Sequence, residues 1–175
     1  MRRTVTTYVL GMMMALVIGV ATPSVASAEL VVLTCPGTVA VSYSPGLTTT
    51  PQSTTLTIGG TAGPCIGLPL GIVSLSASGS ANGTLSCLLN GGETTVSVTV
   101  NWSDGTSSVV SGRFLATVRA GVVVETVVSG TVVSGRFLGA TVALTNTVIP
   151  DLLSCFTATG ITNTAGPATL TIIGT

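Results

Sequence analysis

The longest patterned stretch of the chain runs from Val96 to Leu144, and its hydrophobic positions recur at every second residue. Val96, Val98, Val100 and Trp102 alternate with Ser97, Thr99 and Asn101, the period of a strand with one dry and one solvated face. Ser103-Asp104-Gly105 interrupts the run, and a second one follows from Thr106 to Val118. A two-residue turn at Asp104-Gly105 would set Val98 against Ser111 and Val96 against Arg113, mixing the faces. A three-residue loop with Gly105 in the left-handed conformation sets Val98 against Val110 and Val96 against Gly112. Since a slip of one residue turns every side chain over, the second register is the expected one. The same rule at Arg119-Ala120-Gly121 pairs Val118 with Val122, Ala116 with Val124, Phe114 with Thr126 and Gly112 with Val128. Three strands then share a face of Val, Trp, Phe, Ala and Gly, leaving Arg113, Thr117, Glu125 and Ser129 on the other. Arg113 and Glu125 fall diagonally across the second hairpin, spaced for a surface ion pair worth about 0–1 kcal/mol.

Within this stretch Val-Val-Ser-Gly-Arg-Phe-Leu occurs twice, as Val109–Leu115 and Val132–Leu138. The offset between the copies is odd, so Phe137 reaches the face used by Phe114 only across a bulge, expected at Ser134-Gly135. Two copies are too few for a solenoid. They read as similar strand segments shaped by the same packing, with a duplicated binding edge as the alternative.

Shorter Val/Thr/Leu-rich runs lie outside the meander, at 30–33, 38–43, 53–58, 72–78, 83–89 and 168–173. Pro45-Gly46, Gly59-Gly60, Gly63-Pro64, Asn82-Gly83, Asn90-Gly91-Gly92 and Gly166-Pro167 punctuate them as turn signals. No window carries a helical period. About ten short antiparallel strands predict an all-β domain, a two-sheet β-sandwich of immunoglobulin-like or Greek-key type, with a closed β-barrel as the alternative. Trp102 does lie between Cys87 and Cys155, as in an immunoglobulin domain. With four cysteines present that order is weak evidence.

The N-terminus reads differently. Met1-Arg2-Arg3 is basic, Val9 to Ala21 is apolar, Pro23 follows, and Ala26-Ser27-Ala28 is a small-x-small cleavage site. That is the pattern of a secretory signal peptide over residues 1–28, cleaved after Ala28, and it leaves 29–175 as a single domain. The apolar run is shorter than the roughly 20 residues of a membrane span, and Val32-Leu33-Thr34-Cys35 lacks the small residues of a lipid-attachment motif. An exported, released protein is expected. Cys35, Cys65, Cys87 and Cys155 are then two disulfides. Of the three pairings, Cys35–Cys65 with Cys87–Cys155 is favoured because each ties neighbouring strand ends. Zinc is disfavoured, for there is no C-x-x-C spacing and no histidine in the chain.

Charge narrows the chemistry further. After the leader the chain holds Arg113, Arg119 and Arg136 against Glu29, Glu93, Asp104, Glu125 and Asp151. So weak a basic field does not suit nucleic acid. The lack of histidine and lysine removes His-dependent triads, Ser-Lys dyads and Schiff-base chemistry. A carboxylate pair drawn from Glu93, Asp104 and Glu125 is the remaining hydrolytic inventory, but turn chemistry or a nearby arginine explains each. Sugar binding wants exposed aromatic platforms. The aromatics past the leader are Tyr43, Trp102, Phe114, Phe137 and Phe156, and Trp102 and Phe114 are assigned to the core. No cofactor, metal or catalytic residue is expected. The structural residues singled out are Trp102, Asp104, Gly105, Phe114, Gly121 and Phe137.

Several stretches carry a resemblance. Cys35-Pro36-Gly37, Tyr43-Ser44-Pro45-Gly46-Leu47, Trp102-Ser103-Asp104-Gly105-Thr106, the run from Ser134 to Thr141 and Cys155 with Thr159-Gly160 look like the pattern of a family of small secreted four-cysteine β-proteins of actinomycetes (Streptomyces-like). The resemblance spans most of the chain after the leader and implies export and an all-β fold, with no activity to carry over. The expected function is a non-catalytic extracellular β-module acting by contact with another protein or the cell envelope, for instance as an accessory subunit of a secreted assembly. A self-assembling surface-coat protein is the alternative, and a carbohydrate-binding module the second. Neither nucleic acid nor a membrane span enters the expected set of partners.

Overall fold

A computed structural model describes residues 30–87, 94–119, 123–148, 151 and 153–174, with 115–119 and 123–127 as backbone. The leader assigned to 1–28, Glu93 and the Gly121 turn lie outside the described residues. The chain is all-β. Among the described residues nine strands follow in order, β1 (Val31–Leu47), β2 (Gln52–Ala62), β3 (Ile66–Leu68), β4 (Leu75–Leu85), β5 (Thr94–Trp102), β6 (Ser107–Arg119), β7 (Val123–Gly135), β8 (Thr141–Val148) and β9 (Ile161–Gly174). One 3-10 turn, Ser154–Phe156, precedes β9.

Every ladder is antiparallel, and each strand pairs with its successor, except that β2 passes over short β3 to β4. β9 then meets β1 from Val31↔Gly174 to Ser42↔Asn163, while β1 also pairs β2 from Gly37↔Ala62 to Ser44↔Thr55. The sheet therefore closes on itself as an eight-stranded up-and-down barrel. Of the two expected architectures the barrel forms, not the two-sheet sandwich. Closure leaves no open edge along the eight-strand wall.

Alternation fills the interior. Val31, Leu33, Cys35, Leu75, Val100, Trp102, Val110, Val132, Val142 and Ile172 form one apolar cluster at the mouth where β1 begins. Val39, Val41, Leu56, Ile58, Val96, Phe114 and Val128 form a second toward the other mouth. Trp102 and Phe114 thus both point inward. Each disulfide sits at one mouth, Cys35–Cys65 beside the first cluster and Cys87–Cys155 between the β4 end and the 3-10 turn. This is the favoured pairing.

The first hairpin has the expected register, with Val98↔Val110 and Val96↔Gly112. Gly105 adopts φ +85°, and Asp104 Oδ1 accepts from the Thr106 amide at 3.0 Å and hydroxyl at 2.7 Å. The second hairpin departs from expectation by two residues: Phe114 pairs with Val128, Ala116 with Thr126 and Val118 with Val124. A slip of two keeps the faces, so the inward set stands while the partners change. It also brings Gly112 opposite Gly130, where a Cβ on Gly130 would lie 2.4 Å from the Ser111 carbonyl oxygen. The two backbones approach too closely there for a side chain. In this register Glu125 is four residues from Ser129, the partner of Arg113, or about 13 Å along the strand. The two are therefore not diagonal neighbours, and the Glu125 side chain lies outside the described residues.

The bulge falls one residue before the expected site, because Val110 pairs with Val132 and Val109 with Ser134. The two heptapeptides are consequently not alike. The first lies wholly in β6, whereas the second leaves β7 after Gly135 and spends Arg136, Phe137 and Leu138 in a turn. Several expected turns are also strand interior. Pro45-Gly46, Gly59-Gly60, Asn82-Gly83 and Gly166-Pro167 lie within β1, β2, β4 and β9. Those strands are longer than the runs read from the sequence, and Ile72–Ser74 precedes β4 rather than opening it.

Candidate functional site

Of the residues singled out in the sequence, Trp102, Asp104, Gly105 and Phe137 converge at the mouth where β1 begins. There the β5–β6 turn meets the turn after β7. Arg136 forms an ion pair with Asp104, both side chains about three-quarters buried, and its guanidinium carbon lies 4.8 Å from the Phe137 ring centroid. Phe137 takes φ +61° and turns its ring under Trp102, edge to face, with centroids 5.3 Å apart. That geometry suits the ring quadrupoles. Trp102 Nε1 donates to Ser108 Oγ at 2.9 Å, and Ser108 Oγ donates in turn to the Arg136 carbonyl. Ser108 is 1% exposed, and its hydroxyl is engaged as donor and acceptor. This cluster packs Trp102, Phe137 and Ser108 together as buried side chains at the mouth. Phe114 belongs to the other half of the interior.

Two of the candidate carboxylates, Asp104 and Glu125, do not converge, and the third, Glu93, lies outside the described residues. Asp104 stands at one end of β6, and Glu125 pairs with Thr117 near the other, about 33 Å away at the strand rise of roughly 3.3 Å per residue. These two cannot share one substrate bond. Among the described residues no three of His, Cys, Asp or Glu are grouped to hold a metal ion, and no helix is long and apolar enough to cross a membrane.

Beside this cluster lies a feature that sequence reading missed. β3 continues the line of β2 along β1: Ala62 pairs with Gly37, and Ile66 then pairs with Thr34 and Leu68 with Val32. The handover falls at Cys35-Pro36, where the Pro36 carbonyl accepts from the Gly63 amide at 2.7 Å. β4 begins opposite Ala62, so beyond that level β3 ends the strand order, and no strand among the described residues pairs its outer edge. Gly67 packs so tightly on β1 that a Cβ would lie 1.8 Å from the Val32 carbonyl oxygen. On the outer surface Ile173, Val32 and Leu68 stand side by side across β9, β1 and β3, all exposed, with exposed Leu30, Ile66 and Leu70 nearby in the chain. The outward positions of β2 and β5 are instead Ser, Thr and Asn, such as Thr55, Thr57, Ser97 and Asn101. An apolar row joined to an open strand edge is suited to pairing with another extended segment. The signal was present as Val32, Ile66, Leu68 and Ile173, but period-two logic marks Val and Ile as inward unless the neighbouring register is known.

No protein-family model, no curated protein and no solved structure matches this chain.

Proposed function

We propose that the chain is an exported, non-catalytic β-module that works by contact, its β3 edge receiving an uncharged extended segment of a partner protein as an added strand. The observation that carries this reading is the exposed row Ile173–Val32–Leu68 against the open edge of β3. Main-chain bonds would give affinity, and the neighbouring apolar side chains would select the segment. The absence of Asp, Glu, Lys and Arg from residues 30–92 favours an uncharged partner. Export is supported by the leader pattern of residues 1–28 and by two disulfides, which persist in oxidising compartments. An accessory subunit in a secreted assembly is one setting for such a module.

The test is co-purification from culture supernatant with the wild type and with Leu68→Lys, followed by amide exchange on the reconstituted pair. The expected result is a reproducible partner, lost with Leu68→Lys, that protects the Ile66–Leu68 amides. A partner captured equally by the variant, or none, contradicts the reading. The same edge also supports self-pairing as in a surface coat, and sizing separates the two: a monodisperse monomer without fibrils rejects the coat. A sugar platform gains little support, because Trp102, Phe114 and Phe137 are buried and Phe156 is the strongly exposed ring among the described residues.

A further inference from the structure

The two apolar clusters of the barrel leave a cavity of about 60 Å³ between them. Its wall is drawn from all eight barrel strands and includes Val98, Phe114, Val128, Leu144, Ala168 and Leu170. One polar side chain faces it from within. Asn146 points inward on β8, paired across the ladder with Ala168, and is 4% exposed. Its Oδ1 has no hydrogen-bond partner among the described residues. Thr38 and Thr61 also border the cavity, but they pair across the β1–β2 ladder at outward positions of the alternation.

A buried carbonyl oxygen without a partner is costly and rare in folded proteins. Water is a poor partner here, since a buried water needs two to four polar contacts and this wall supplies one. Size bounds the guest from above. The cavity is less than half the roughly 150 Å³ of an engineered apolar cavity that takes benzene. We propose that it is a binding site for a small amphiphile of about two to four non-hydrogen atoms carrying a single O–H or N–H donor. A short aliphatic alcohol is the simplest case. The donor meets Asn146 Oδ1, and the alkyl end lies against Val98 and Leu170. This site is internal and independent of the β3 edge.

Methyl NMR of the purified chain during titration with propan-1-ol, and separately under xenon, tests the assignment. Saturable shifts at the Val98, Leu144 and Leu170 methyls are expected with propan-1-ol. Binding should weaken at least about tenfold in Asn146→Leu, which removes the acceptor, and should also be lost in Ala168→Val, which fills the space and keeps Asn146. Non-saturating shifts in the wild type overturn the proposal, as does an unchanged response in Asn146→Leu. Occupancy by xenon with none by the alcohol also overturns it, because the cavity is then only a dry void. Should Asn146→Leu fail to fold, Ala168→Val and the alcohol-against-xenon comparison decide between the same outcomes.

Discussion

Ser108 shows how much rests on single side chains in a barrel with few charges. Its hydroxyl accepts from the Trp102 indole and donates to the Arg136 carbonyl, so Ser108→Ala removes two hydrogen bonds, one buried and one part-buried. A loss of about 2–3 kcal/mol in urea unfolding is expected, against about 1 kcal/mol for Trp102→Phe, which removes one bond and keeps most of the ring packing. Asp104 separates turn from charge. Asp104→Asn retains an acceptor for the Thr106 amide and should cost under about 1 kcal/mol, since the Arg136 pair is partly exposed. Asp104→Ala loses the turn bonds as well and should cost more. Tyr43 gives a pH signature, because burial raises its phenol above the ordinary value near 10, partly countered by its hydrogen bond with Thr164. The unfolded chain then ionises first, so stability is intact below pH 10 and falls as pH rises toward and through the folded value. Tyr43→Phe should flatten that alkaline decline in unfolding measured at successive pH values. At this scale the Asp104-Gly105 turn was legible because its chemistry is local. The Arg136–Phe137 turn was not, since it depends on Trp102 and Ser108 from two other strands.

Among elements, the meander shows both the reach and the limit of periodicity. Alternation fixes the face, and the first turn fixes the register, so β5 and β6 pair as expected. The second register slipped by two because a two-residue error costs nothing in face, and the opposed Gly112 and Gly130 are a close-approach signal that alternation does not weigh. Glycine and proline misled elsewhere for a related reason. They mark close approaches and the β2-to-β3 handover in this wall more often than they mark chain reversals. β3 was invisible at three residues. Gly67 provides a direct probe of it: φ is +132°, and no Cβ fits against Val32. Gly67→Ala should detach β3 while the eight-strand wall persists. Amide exchange should then show lost protection at the Val32–Thr34 pairing with β3, and the β1–β9 ladder should keep its protection.

For the whole molecule, closure was the part local pattern could not supply. A sandwich and a barrel share the same alternation and turns, and they differ in whether β9 finds β1 more than a hundred residues earlier in the chain. The disulfides were more accessible to reasoning, because neighbouring strand ends restrict the pairings. Their sequence separations of 30 and 68 imply about 3.5 and 4.5 kcal/mol of unfolded-state restriction. Cys35→Ser/Cys65→Ser and Cys87→Ser/Cys155→Ser should each lower stability by about that much in urea unfolding, the second slightly more. The first bridge sits at the handover from β2 to β3 along β1, so the β3 edge and the closed wall belong to one covalent unit.

The most direct measurement is the set of cross-strand amide and α-proton contacts in solution NMR, read on both sides of β1. The closed barrel predicts Val41 beside Ile58 on one side and beside Thr164 on the other, with continuous ladders through all eight wall strands. A β1 strand lacking either neighbour, or a break that divides the ladder into two facing sheets, contradicts it.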